Sequence, residues 1–157
     1  VYDNDESNAD TYGYLYNLYA VDTGSLAPDG WHVPTDEEWM ELEMALGMSE
    51  SEAQGIGDRG TNQGSQLAGN ADLWWWDNEL EYNEAFGTSG FNAIPSGYRI
   101  SPGSFSNLGH HCYLWSSTVE DWGGHSPWSR MLHYDSSGVD RATTGKNNGY
   151  SVRCIKD

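Results

Sequence analysis

The chain is poor in bases: 7 Lys and Arg stand against 24 Asp and Glu in 157 residues, a formal net charge of -17. So many uncompensated carboxylates repel phosphate backbones, which argues against nucleic acid as a partner. No apolar run approaches the roughly 20 residues that a spanning helix needs, so direct membrane insertion is not expected. Nothing at the start resembles a signal peptide, and the abrupt opening Val1-Tyr2-Asp3 suggests a piece of a longer protein that lacks its N-terminal extension. Only two cysteines occur, Cys112 and Cys154, without paired CxxC spacing, which falls short of a zinc site. His110 and His111 beside Cys112 could add ligands, but neighbours on a strand point to opposite faces, so three consecutive ligands fit poorly and no metal is expected there. A Cys112–Cys154 disulfide, in an oxidising compartment, would stabilise by roughly 4 kcal/mol in the chain-entropy account. Catalytic signatures are missing as well. There is no Gly-x-Ser-x-Gly elbow, phosphate loop or His-Glu-x-x-His, and the many carboxylates show no spacing suited to acid–base work.

What the chain does have is glycine, at 19 residues, and large polar aromatics, with 8 Trp and 10 Tyr against 3 Phe. That mix implies a loop-rich fold with a few big rings in the core and others left for a surface. Its length suits one domain over residues 1–157. Charge divides it unevenly. Residues 1–84 hold 19 of the 24 acids and a single base, Arg59, which reads as a solvated surface. The near-neutral remainder carries His110, His111, His125 and His133, the composition of a recognition surface.

Along the chain, Asp3-Asn4-Asp5-Glu6-Ser7-Asn8 superficially resembles a calcium loop but lacks the Gly and distal Glu of an EF-hand. It reads as a solvated loop. Structural calcium stays open, because irregular Asp/Asn loops bind it without a readable motif, and no other cofactor is expected. Tyr12, Leu15, Tyr16, Tyr19 and Ala20 recur at helical spacing, which predicts a helix over 12–21. Thr35 and Glu38 form a capping box that opens a second helix, with Trp39, Leu42 and Leu46 on one face and Gly47 as the stop. Five glycines from Gly55 to Gly69 predict loops and short helical turns, and of Trp74-Trp75-Trp76 one or two should be core. Strands are expected at 91–95, 98–100, 113–118, 130–134 and 151–155. Two early helices followed by short antiparallel strands give an α+β class.

Five ordered blocks carry a resemblance. They are Tyr12-Gly13-Tyr14-Leu15-Tyr16-Asn17; Gly30-Trp31-His32-Val33-Pro34-Thr35 with Glu38-Trp39; Gly90-Phe91-Asn92-Ala93-Ile94-Pro95 with Gly97-Tyr98-Arg99; Trp115-Ser116-Ser117-Thr118; and Ser151-Val152-Arg153-Cys154. Together they resemble the Fibrobacter succinogenes major paralogous domain, a family of secreted bacterial domains. The resemblance implies a C-type-lectin-like fold, similar to the formylglycine-generating enzymes and to the variable proteins of diversity-generating retroelements. It also implies an extracellular or cell-surface location. This chain departs from the family where Val1, Ala9 and Ala27 stand in place of frequent cysteines, which leaves Cys112 as the candidate partner of Cys154.

The motif residues also have physical roles. Trp31 and Trp115 read as core anchors, and Arg153 as a buried structural partner of a carboxylate. In 130–135, Arg130, Leu132 and Tyr134 share one face, a scaffold; Ser129, Met131, His133 and Asp135 share the other, a display. The leading expectation is a ligand-binding domain or adhesin whose patch comprises His110, His111, Tyr113, Asp121, Trp122, His125, Trp128, Ser129, Met131, His133, Asp140, Thr143 and Thr144. A protein ligand leads. A cell-surface glycan stacked on Trp122 or Trp128 follows, although the Glu-Pro-Asn and Trp-Asn-Asp triplets of calcium-dependent lectins are absent. Asn147-Asn148 fits an adenine-rich retroelement template, whereas mutated AAY codons never encode Trp, Met or Glu, so Glu120, Trp122, Trp128 and Met131 would need other template codons. The alternatives are a structural subunit of a surface assembly and, remotely, a formylglycine-generating-type enzyme, for which no second Cys stands near Cys154.

Overall fold

Thr35 starts the longest helix as its spacing predicts. In the computed structural model, which describes residues 1–75, 79–121 and 123–157, Thr35 Oγ1 accepts from Glu38 N at 3.2 Å and Thr35 N donates to Glu38 Oε2 at 2.8 Å. Both halves of the capping box are present, and acids fill the first turn where the helix dipole favours them. The other helices are single turns. In chain order the helices are α1 (Ala9–Tyr12), α2 (Leu18–Val21), α3 (Asp36–Ala45), α4 (Glu50–Ala53), α5 (Gln63–Leu67) and α6 (Glu79–Tyr82).

The single helix expected over 12–21 is two. Gly13, at φ 72, leaves the helical region, and Asn17 opens α2 by accepting from Ala20 N at 3.0 Å. Tyr16 lies between them in an antiparallel bridge with Tyr150. A cross-chain pairing outweighed the local periodicity there.

The strands are β1 (Trp31–His32), β2 (Gly57–Arg59), β3 (Ser96–Ile100), β4 (Ser104–Leu108), β5 (His111–Val119), β6 (Pro127–His133), β7 (Val139–Thr143) and β8 (Ile155–Lys156). Six form one sheet in the order β2-β7-β6-β5-β3-β4, while β1 and β8 form a separate pair. All the pairings are antiparallel except β3 with β5. The molecule is mixed α+β with few helices and a mostly β framework. Two expected strands fail. Of 91–95 only an isolated Ala93–Ala68 bridge remains; of 151–155 Ser151 makes an isolated bridge to Leu114 of β5, and Ile155 alone enters a strand, outside the main sheet. β1, β2, β4 and β7 arise where no strand was expected.

Alternation along β5 divides the core. Cys112 and Leu114 join Trp39, Leu67, Trp74, Leu80, Leu132 and Val139 in one cluster; Tyr113 and Trp115 join Leu18, Val21, Val33 and Tyr150 in another. At the first, α5 packs so closely on the turn after β6 that a Cβ on Gly64 would collide with the carbonyl of Gly138.

This division corrects the disulfide expectation. Cys112 is buried in the first cluster, Cys154 packs against the second, and both are free thiols. Two other expectations are corrected. Trp115 is fully buried, but Trp31 is 44% exposed and anchors no core. Arg153 is exposed and donates to the Phe91 carbonyl at 2.7 Å rather than to a carboxylate. Of the tryptophan triple, Trp74 is buried and donates to the Gly69 carbonyl at 2.9 Å, Trp75 is largely exposed, and Trp76 lies outside the described residues. Among the described residues no helix is long and apolar enough to cross a membrane.

Candidate functional site

Strand register assembles the site. Pairing of β5 with β6 sets His111 opposite His133 and Tyr113 opposite Met131; pairing of β6 with β7 sets Met131 opposite Asp140. Cα partners place their side chains on the same side of a sheet, so these five residues form one continuous surface. The His111 and His133 rings are 4.4 Å apart between centroids. Further along the same face Trp115 is covered by Leu18, Val21 and Tyr150, whereas the His111 end is open. Tyr113 stands at the junction, with its ring 4.6 Å from Tyr98 and 4.8 Å from Tyr150.

Polar contacts hold the patch in place. Asn107 Nδ2 donates to Tyr113 Oη at 2.8 Å, and Tyr113 Oη lies 2.9 Å from His111 Nδ1. Burial, reinforced by the neighbouring His133, pushes His111 from its ordinary 6.5 down to about 4. A neutral His111 accepts at Nδ1 from the tyrosine hydroxyl and keeps its proton on Nε2. Burial raises the Tyr113 hydroxyl, which therefore stays protonated. It raises Asp140 too, helped by the Asp58 carboxylate and opposed by His133. The result is a half-buried surface of rings, a thioether and one carboxylate. It offers contact area and hydrogen bonds with few side-chain rotamers left to freeze.

The wider patch read from the sequence does not hold together. Ser129 shares the face but is buried, donating to the Ala142 carbonyl at 3.1 Å. Thr144 forms the rim, where its Oγ1 is 3.1 Å from Tyr150 Oη and accepts from Asn148 Nδ2 at 3.1 Å. His110 turns away, stacking on Trp75 at 4.6 Å and meeting Tyr134 edge-on at 5.3 Å. Trp128, expected as a contact, is instead buried beneath the Arg141 guanidinium, 3.7 Å from the ring centroid. Thr143 is the Cα partner of Trp128 and so lies on that opposite side. Asp121 and His125 are exposed in the β5–β6 loop, and Trp122 lies outside the described residues.

Two residues of the site escaped the sequence reading. Asp58 is the Cα partner of Asp140, and Asn107 sits at φ 65 at the end of β4. Asn tolerates that left-handed conformation better than most residues, but no spacing links it to Tyr113. Among the described residues no cluster of three or more His, Cys, Asp or Glu side chains is arranged to hold a metal ion.

Comparison with known proteins gives one result. The family model described as the Fibrobacter succinogenes major domain matches residues 1–156. No curated protein and no solved structure matches.

Proposed function

The chain belongs to the Fibrobacter succinogenes major domain family, and from that premise we propose that it is a secreted or surface-displayed binding domain that takes a protein ligand on the open face of β5, β6 and β7. The observation that carries this is the register of His111, Tyr113, Met131, His133 and Asp140, which gathers rings and short polar groups on a surface fixed from behind by the core. We read the fold as C-type-lectin-like, a reading supported by its loop-rich mixed sheet and few helices. Binding is favoured over catalysis by the state of the thiols. Cys112 is buried and its thiol is pushed up to about 12, so it is no nucleophile, and Cys154 is a separate free thiol that packs against the other core cluster.

The test compares the intact chain with a Met131→Asp/His133→Asp variant, both immobilised and exposed to cell-surface proteins and to a glycan array. Capture of a defined protein by the parent and not by the variant, at equal thermal stability, supports the reading. Equal capture by both overturns it, and selective retention on the glycan array redirects it to sugars. Concentration-dependent self-association that the same variant abolishes would replace it with the assembly-contact reading. Deep sequencing of the gene across its source population addresses diversification separately. Substitutions crowded into the codons of the five face residues, sparing Trp115, Arg130 and Leu132, mark a retroelement-varied receptor; a uniform gene marks a fixed one.

A further inference from the structure

Away from that face, a cleft of about 290 Å³ opens between α3 and the β1–β8 pair. Trp31, Leu42, Phe91 and Ile155 wall it, and the buried Trp39 closes its floor. Trp31 and Ile155 are exposed large apolar side chains, at 44% and 40%, and both line this one concavity. Exposed apolar surface on a folded chain is informative when it is concave and contiguous.

The cleft also concentrates positive charge where the chain has little. Arg59, Arg130 and Arg141 are buried in ion pairs, and of the four remaining bases two, Arg153 and Lys156, line this cleft. Arg153 is already positioned: its guanidinium lies 4.9 Å from the Phe91 ring centroid and uses one N–H on the Phe91 carbonyl. Among the described residues that is its one hydrogen bond, which leaves its other donors for a ligand. Lys156 is the Cα partner of Trp31, so ammonium and indole emerge on the same side of the β1–β8 ribbon. Among the described residues the one acid lining the cleft, Glu38, is occupied, with Oε1 2.8 Å from His32 Nε2 and Oε2 accepting from Thr35 N.

We propose that this cleft binds a small organic acid, an aromatic or branched apolar body carrying one carboxylate, with the body between Trp31, Phe91 and Ile155 and the carboxylate on Arg153 and Lys156. The size fits a bicyclic ring system, and a charge-assisted pair at the rim gives the orientation that apolar walls alone cannot.

The test titrates the full chain with 2-naphthoate and with 2-naphthylmethanol, which has the same ring system and no charge, using calorimetry and amide NMR. The acid is expected to saturate at one site, shifting the Trp31 indole N–H and the Phe91 and Ile155 amides, and to bind at least about tenfold tighter than the alcohol. Lys156→Gln and Arg153→Gln should each weaken the acid and leave the alcohol unchanged. Ile155→Trp, at an exposed position, should fill the cleft and abolish both. Equal affinity for acid and alcohol overturns the inference, as do shifts that lie elsewhere or a Lys156→Gln variant that binds the acid like the parent. None of these outcomes bears on the β5–β7 face, so the two readings stand or fall separately.

Discussion

Arg130 donates from Nε to Glu43 Oε1 over 2.6 Å, and both side chains are almost completely buried. The bond joins β6 to α3, and it is one strand of a wider network. Arg130 Nη1 reaches Asp36 Oδ1 at 2.7 Å, Arg59 from β2 reaches Glu43 at 2.8 Å, and Arg141 from β7 clasps Asp36 and the carbonyls of Gln54 and Gly55. Three strands of the sheet are thus pinned to one helix through charge. Alternation does the rest: β6 turns Arg130 and Leu132 to the core and presents Met131 and His133 on the other side. The ion-pair network and the face residues Met131 and His133 thus lie on opposite sides of β6.

That arrangement makes Arg130 costly to lose. In Arg130→Met the volume is nearly kept, but Glu43 and Asp36 lose a buried counter-charge. Breaking a buried pair from one side is expected to destabilise by about 3–5 kcal/mol. Arg130→Lys should recover little, because a single ammonium cannot span Glu43 and Asp36 as the planar fork does. Urea unfolding reads this as a lower midpoint at unchanged slope. A loss under about 1 kcal/mol would mean that the network fixes the register of the sheet without contributing to stability.

The thiols give a second prediction. Cys112 is sealed in the core with its thiol pushed up to about 12 by burial, and Cys154 is half-buried with its thiol also raised by burial. In native protein at neutral pH, an aromatic disulfide reagent should titrate Cys154 slowly and Cys112 only as the chain unfolds. Reductant should leave the melting temperature unchanged. A chain that releases no thiol even in denaturant, and melts lower once reduced, would restore the disulfide that the structure separates.

Local chemistry was legible in the sequence and long-range pairing was not. The capping box at Thr35 and Glu38 declares itself within four residues, and the two-faced character of 130–134 follows from alternation alone. The division of helix 12–21 was hidden because Tyr16 pairs with Tyr150, a contact that no local period encodes. Arg153 was misplaced for the same reason: the buried acids go to Arg59, Arg130 and Arg141, which only the assembled sheet brings to α3. The site was half legible. The sequence points to His111, Tyr113, Met131, His133 and Asp140, but it points equally to Trp128, because a large ring in a polar loop region resembles a contact. The structure turns it to the other face, where Arg141 covers it. Asp58 and Asn107 reach the site through β2 and β4, strands that carry too few alternating residues to show themselves in sequence.

The last prediction concerns the state in which the face meets a ligand. His111 titrates near 4 rather than at its ordinary 6.5, because burial disfavours its charged form and His133 adds to the effect. The unfolded chain therefore takes up a proton at this position before the folded one does. Stability contributed by neutral His111 is complete above about pH 6.5 and is lost as the pH falls from there toward 4. Two measurements check this. The His111 ring resonances should titrate with a midpoint near 4, and His111→Gln should make unfolding less pH-dependent across that same interval. At neutral pH the face then presents an uncharged imidazole whose Nδ1 is engaged by Tyr113. A midpoint near 6.5 would mean that His111 is solvated in the folded chain rather than held half-buried beside Tyr113 and His133.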